Sequence, residues 1–233
     1  MPFFYYVDPY YWMLLVPAML IAAWAQVRVN STFRRYSTVY ARRGYTGAQA
    51  AEAVLRAHGV TGVRIERVRG HLSDHFDPRS NVIRLSDSVY GSNSVAAIGV
   101  AAHEAGHAVQ YAVGYQPIRL RSAMIPVCNV SSQLSIFFII LGFVLYIEPL
   151  FAIGIVLFSL AVAVQLVTLP VEFNASHRAL ETLGETRMLD RDELSGARKV
   201  LTAAALTYVA ALVVSLAQLL RYILAFSGRR RNE

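Results

Sequence analysis

SNSVAAIGVAAHEAGHAVQYAVG, residues 92–114, decides how the rest of the chain is read. Small and apolar residues run through it without strand-like alternation. Ser92 or Ser94 offers an N-cap and Gly114 a stop, so the pattern predicts a helix over 94–112. His103, Glu104 and His107 interrupt this otherwise apolar helix. Four residues return a helix to the same face, so the two imidazoles project side by side. Two such nitrogens meet zinc at about 2.0–2.1 Å. Glu104, one position on, is rotated so that its carboxylate reaches a water on the metal rather than the metal itself. Ala101, Ala102, Ala105, Gly106 and Ala108 leave room for close packing and for substrate. At this composition, chance gives His-Glu-x-x-His in roughly one such sequence in a hundred or fewer. The competing reading makes the three residues solvated positions on an amphipathic helix. Their apolar surroundings speak against it, because polar groups buried without a shared ligand are costly.

Catalytic zinc takes three protein ligands and keeps an open fourth position. Cys128, the single cysteine, lies in an apolar stretch. A disulfide within the chain and a cysteine zinc knuckle are therefore excluded, and the third ligand must be a histidine or a carboxylate. Glu172, in TLPVEFNASHRALETLG (168–184), is the leading candidate. Pro170 fits a helix start, with Glu172 in its first turn, where the helix dipole favours a carboxylate with or without metal. His177 is five residues further on and points to another face. His71 and His75, in GHLSDHFDPRS (70–80), are candidates for stabilising an oxyanion. Asp74, Asp77 and Pro78 also make that segment a turn. Arg178 is placed either to bind substrate carbonyls or to pair with Glu181 or Glu185, and His58 beside Gly59 reads as part of a helix C-cap.

The solvent follows from composition. Of 233 residues, 55% are hydrophobic and 16% charged, and the mean hydropathy is +0.42. Soluble domains carry about 25% charged residues, so part of this chain is solvated by a bilayer. Residues 10–27 form the first expected span, with Phe3–Tyr6 and Tyr10–Trp12 as an interfacial belt. Asp8 stands where a signal peptide would be basic, so this span reads as an uncleaved anchor. Residues 28–122 are a polar section with helical spacing at 46–60 and strands at 63–68 and Val82–Leu85. Residues 123–170 read as a transmembrane hairpin turning at Glu148-Pro149, 171–199 as a polar helix, and 201–226 as a span or interfacial helix. The charge of +7 comes from 21 arginines and one lysine against 15 acids. With greasy spans present, that excess indicates an anionic membrane face rather than nucleic acid. Thirteen arginines fall in 28–122 and none at 148–149, which orients 28–122 and 171–199 toward the cytoplasm. Four spans then put both ends outside, against the pull of Arg229–Arg231.

VAAHEAGHAVQ, LPVEFNASHRAL and the upstream GHLSDHFDPRSNVIRLSDSVYGSNSVAAIG together resemble the YugP-like bacterial membrane zinc metallopeptidases. More distantly the chain is similar to the HtpX/Ste24 branch of gluzincins, which pair His-Glu-x-x-His with a distal glutamate. The resemblance covers nearly the whole chain. It implies His103, His107 and Glu172 as zinc ligands and Glu104 as catalytic base. The distant relatives place an aspartate four residues after the ligand glutamate, bracing the first motif histidine. Here Ser176 holds that position, with Asn174 two residues after the glutamate, and either is placed to brace an imidazole. The resemblance also implies that the Val82–Leu85 strand holds an extended substrate by β-addition; an ordinary sheet strand is the alternative.

The expected protein is thus an α-helical multi-pass membrane protein of about four spans with a small cytoplasmic α+β gluzincin-like zinc domain. It would be an endopeptidase using Zn2+ on peptide or membrane-protein substrates, with a membrane-protein partner or homo-oligomer compatible with the sequence. Two other classes stand beside it. One is a non-catalytic scaffold that keeps zinc for folding or partner binding, against which Glu104 argues. The other is a protease cutting within the bilayer, against which the short, arginine-flanked 94–114 helix argues.

Overall fold

The structure, a computed structural model, describes residues 10–70 and 73–230, with side chains described to residue 227. His71, Asp8, the Phe3–Tyr6 cluster and the side chains of Arg229–Arg231 lie outside the described residues. The elements in chain order are α1 (Val16–Ser37, after a π-helical turn at Tyr11–Leu15), α2 (Gly47–Ala57), β1 (Arg64–Val68), β2 (His75–Asp77), β3 (Val82–Ser86), α3 (Asp87–Tyr90), α4 (Val95–Ala112), α5 (Gln116–Val144), α6 (Glu148–Glu185) and α7 (Arg191–Arg230). The protein is mostly helical with one small sheet, and four of its helices are long and apolar enough to cross a membrane.

The chain divides into two compact units. The first holds the described residues before Val27, Leu120–Leu169 and those from Thr207 on. Here α5 and α6 pair as a hairpin through small residues. A Cβ on Gly142 would stand 2.5 Å from the Phe151 nitrogen, and one on Gly154 would stand 2.5 Å from Ile139 Cγ1. Ser135 Oγ donates to the Gly154 carbonyl at 2.9 Å. Close backbone approach through glycine, plus a hydroxyl bond, is how helices associate where lipid removes the hydrophobic drive. The turn does not fall at Glu148-Pro149. It is carried by 145–147, with Tyr146 at φ +59, and Glu148-Pro149 opens α6. A proline in the first turn loses only an N–H that has no partner within the helix.

The second unit, Val27–Arg119 with Pro170–Leu206, holds the motif helix. Ser94 caps α4 by accepting from the Ala97 N–H, and Gly114 ends it at φ +68. Thirteen of its 18 residues are buried, as expected of a helix apolar nearly all round. Small residues set how closely neighbours approach: a Cβ on Gly99 would touch Ala197 Cβ at 3.4 Å, and one on Gly106 would lie 2.6 Å from the Ala175 carbonyl oxygen. α2 is fixed by a capping box in which Thr46 and Gln49 satisfy each other's backbone N–H groups. The tip of Glu193, buried, accepts from the Arg42 and Asp190 N–H groups and so ties the loop after α1 to the start of α7.

The sheet has order β1-β3-β2, with β1 parallel and β2 antiparallel to β3. The Val82–Leu85 strand therefore lies in the centre, paired on both sides, with Val82, Ile83 and Leu85 wholly buried. Among the described residues β1 pairs along it and β2 covers Val82–Arg84 on the other side, which corrects the β-addition reading; its nearly continuous apolar run is that of a two-faced core strand. β2 occupies an edge of the sheet, where Asp74, Asp77 and Pro78 also favour a turn. α6 also departs from the sequence reading: it runs unbroken through Pro170, so Glu172 sits mid-helix rather than in a first turn. Interior proline is tolerated in helices of this apolar kind, where neighbouring groups take up the freed carbonyl.

Candidate metal centre

Along α4 the incompletely buried positions are Val100, His103, Glu104, Tyr111 and the terminal Ala112, the first four spaced as one face of a helix. His107, one turn past His103, is buried beneath it. The two imidazoles meet edge to face with ring centres 4.7 Å apart. α6 brings Glu172 against them: its Oε2 lies 3.3 Å from His103 Nε2 and 3.6 Å from His107 Nε2. One donor atom from each residue lies within 4.8 Å of the others, the cluster of possible metal ligands found among the described residues.

Hydrogen bonds fix which nitrogen faces inward. Gln110 Nε2 donates to the Val171 carbonyl at 2.8 Å and to Asn174 Oδ1 at 3.0 Å. Its Oε1 is thereby turned to His107 Nδ1, 3.0 Å away. Nδ1 must carry the proton, and the Nε2 lone pair then faces Glu172. His103 Nδ1 meets Ser176 Oγ at 3.0 Å, leaving its Nε2 also directed at the carboxylate. The His107 lone pair and the carboxylate oxygen repel unless a cation stands between them. The same demand shows in the titration of His107. Burial alone would disfavour its charged form, but the Glu172 and Glu104 carboxylates and the Gln110 carbonyl outweigh it and raise the pKa above the ordinary histidine value. Two histidines and one carboxylate with inward donors and braced outer nitrogens are a donor set that fits zinc.

Glu104 stands outside that cluster. Its Oε2 accepts from the Phe76 N–H of β2 at 3.0 Å, and the Phe76 ring packs at a tilt against Tyr111 of α4 with ring centres 5.6 Å apart. β2 is held in turn by Asp74, which accepts from the Ser86 N–H at 2.7 Å and from its hydroxyl at 3.0 Å. Burial pushes the Asp74 pKa up despite those two bonds, with the nearby Glu104 charge adding to the rise.

The remaining candidates are dispersed. His75 is exposed and its Nδ1 is 2.8 Å from the Ser73 carbonyl. Arg178 donates from Nε to Asn174 Oδ1 at 2.9 Å rather than to Glu181 or Glu185, and so joins the Gln110 network from behind. His177 faces solvent near Glu181. Ser176 and Asn174 divide the bracing: Ser176 touches His103, and Asn174 reaches His107 only through Gln110. Gln110 escaped the sequence reading, although a lone glutamine three residues after a motif histidine, on the same face, was the available signal. The Phe76 amide escaped it because a backbone group leaves no mark on sequence.

Two expected results follow from this packing. Gln110→Leu removes the acceptor that orients His107 and should weaken zinc binding by about 10–100-fold, measured by competition with a chelating dye; unchanged affinity would show the bond to be incidental. Gly106→Ala forces α6 back from α4 at Ala175, three residues from Glu172. It should cost about 1–3 kcal/mol in thermal unfolding and also weaken zinc binding, whereas a stability loss alone would mean that α6 shifts without moving the carboxylate.

The comparisons with known proteins come down on the same chemistry. The family described as "Putative neutral zinc metallopeptidase" matches residues 11–227. The chain is 46% identical over 220 residues, 94% of its length and 98% of the relative's, to "Putative membrane protease YugP" of Bacillus subtilis (strain 168). No solved structure matches it.

Proposed function

The chain belongs to this family of zinc metallopeptidases, and from that premise we propose that it is a membrane endopeptidase whose zinc is held by His103, His107 and Glu172. Zinc held there would supply Lewis acidity and make a nearby water acidic enough to lose its proton near neutral pH. The Glu104 carboxylate takes that proton during attack on a peptide carbonyl and passes it to the leaving amine nitrogen. The Phe76 N–H holds one Glu104 oxygen and leaves the other for this exchange. The observation that carries the reading is the convergence of Glu172 on both Nε2 atoms across 65 residues of sequence.

The zinc unit faces the cytoplasm in this reading, supported by the 13 arginines of residues 28–122. Glu172 follows the apolar part of α6 by two residues, so cleavage takes place near the membrane surface. Substrates are membrane proteins or their juxtamembrane segments, misfolded ones included, by analogy with the membrane protease it resembles. Sealed inside-out vesicles carrying the protein should digest added casein, stop on chelation and resume with stoichiometric zinc, while right-side-out vesicles should not. Digestion that persists in chelator, or zinc-replete vesicles that are inert in both orientations, would remove the proposal.

A further inference from the structure

Away from the zinc ligands, α1 and α7 enclose a cavity of about 430 Å3. Arg28, Ser31 and Arg35 line it from α1, and Arg198, Lys199 and Thr202 from α7. Spacings of three and four residues set Arg28, Ser31 and Arg35 on one face of α1, and the adjacent Arg198 and Lys199 lie four and three residues before Thr202 on α7. Gly196 permits the pairing, since a Cβ there would fall 2.7 Å from Tyr36 Cε1. Four cations and several hydroxyls border the cavity, and none of its lining residues is acidic. Of the arginines elsewhere in the same unit, Arg42, Arg56, Arg64, Arg67 and Arg84 lie in ion pairs with carboxylates. Among the described residues Arg35, Arg198 and Lys199 have no such partner. Clustered like charges repel, and an anion among them relieves the repulsion.

The place of the cavity along both helices says which anion. Arg28 directly follows the apolar stretch 10–27, and Thr202 is the second residue of the apolar stretch 201–226. The cavity therefore lies where two spans leave the hydrocarbon, at the depth of lipid headgroups. We propose that it binds the phosphate of an anionic phospholipid. The guanidinium and ammonium groups take the phosphate oxygens, and Thr202 adds a hydroxyl bond. A lipid seated there bridges α1 to α7, whose Ala197 packs on Gly99 of the motif helix. The site depends on the membrane location of the chain and not on its being a protease.

The test uses the full chain, delipidated in detergent, with bound lipid counted by native mass spectrometry and unfolding followed by heat. Phosphatidylglycerol should bind and raise the melting temperature; phosphatidylcholine and inorganic phosphate at equal concentration should not. The triple variant R28Q/R198Q/K199Q should bind phosphatidylglycerol about a hundredfold more weakly, at about a factor of five per charge. It should keep its helical circular dichroism and zinc content. R34Q/R69Q/R79Q, which removes three arginines outside the cavity, should bind as the parent does. If the triple variant fails to fold, R198Q and K199Q singly should each show about the fivefold loss. Equal weakening in the control would mean diffuse surface charge and overturn the site. Equal stabilisation by inorganic phosphate, or equal binding of phosphatidylcholine, would overturn the lipid assignment. Binding of an acidic peptide in place of lipid would also overturn it.

Discussion

Replacing Glu104 by glutamine is expected to lower kcat/KM for peptide hydrolysis by about 10²–10⁴-fold, the usual worth of a positioned general base. That corresponds to about 3–5 kcal/mol of transition-state stabilisation. The substitution is close to surgical. Glu104 is not among the three residues whose donor atoms converge, so zinc content should not change. The glutamine carbonyl can still accept from the Phe76 N–H, so the contact between α4 and β2 should survive. What disappears is the ability to take a proton from water. Zinc in both proteins with cleavage only in the parent separates an enzyme from a zinc-keeping scaffold. Zinc in both with cleavage in neither favours the scaffold, and full activity in the variant would assign the base elsewhere.

Glu172→Ala is expected to have a larger effect on the metal. A lost outer hydrogen bond costs about 10–100-fold in affinity; a lost ligand should cost more, and hydrolysis should fall to background with it. The variant keeps two imidazoles whose Nδ1 atoms remain engaged with Ser176 and Gln110. With two ligands on one helix, zinc should be lost during purification. Thermal unfolding reads the same event independently. A metal at a thousand times its Kd stabilises the parent by about 4 kcal/mol, so zinc should raise the melting temperature of the parent and leave that of the variant unmoved. Because Glu172 is buried and enters from α6, Glu172→Gln serves as a control for packing. It keeps the volume and should lose the metal nearly as completely.

What could be read from sequence, and what could not, divides by range. The motif helix was legible because its period, its Ser94 cap and its Gly114 stop are all local, and the observed α4 differs from the expected 94–112 helix by one residue at its start. The four apolar stretches were legible because span length follows from bilayer thickness. Local signals misled where two readings share them. Pro170 looks the same at a helix start and inside a continuous helix, and only the structure shows α6 passing through it. The dipole at a helix start therefore does not explain Glu172; its contacts with His103 and His107 do. Glu148-Pro149 marks the hairpin correctly but belongs to the second helix rather than to the turn.

Long-range facts left weaker traces. The three residues of β2 are too few to show alternation, and Asp74, Asp77 and Pro78 around them favour a turn. They form a strand because β3 supplies a partner at His75, Phe76 and Asp77. The strand at Val82–Ser86 was found, yet its place between β1 and β2 depends on neighbours that its own residues do not specify. Ser176 and Asn174 were both marked as braces, but which imidazole each serves follows from how α6 turns against α4.

Zinc K-edge X-ray absorption on the purified, zinc-loaded protein tests the central claim most directly. The account predicts a low-coordinate site with two imidazole ligands, carboxylate oxygen and one exchangeable solvent position, and a spectrum that changes in Glu172→Ala but not in Glu104→Gln. A site with four protein ligands and no exchangeable position, or a spectrum indifferent to Glu172, would contradict it.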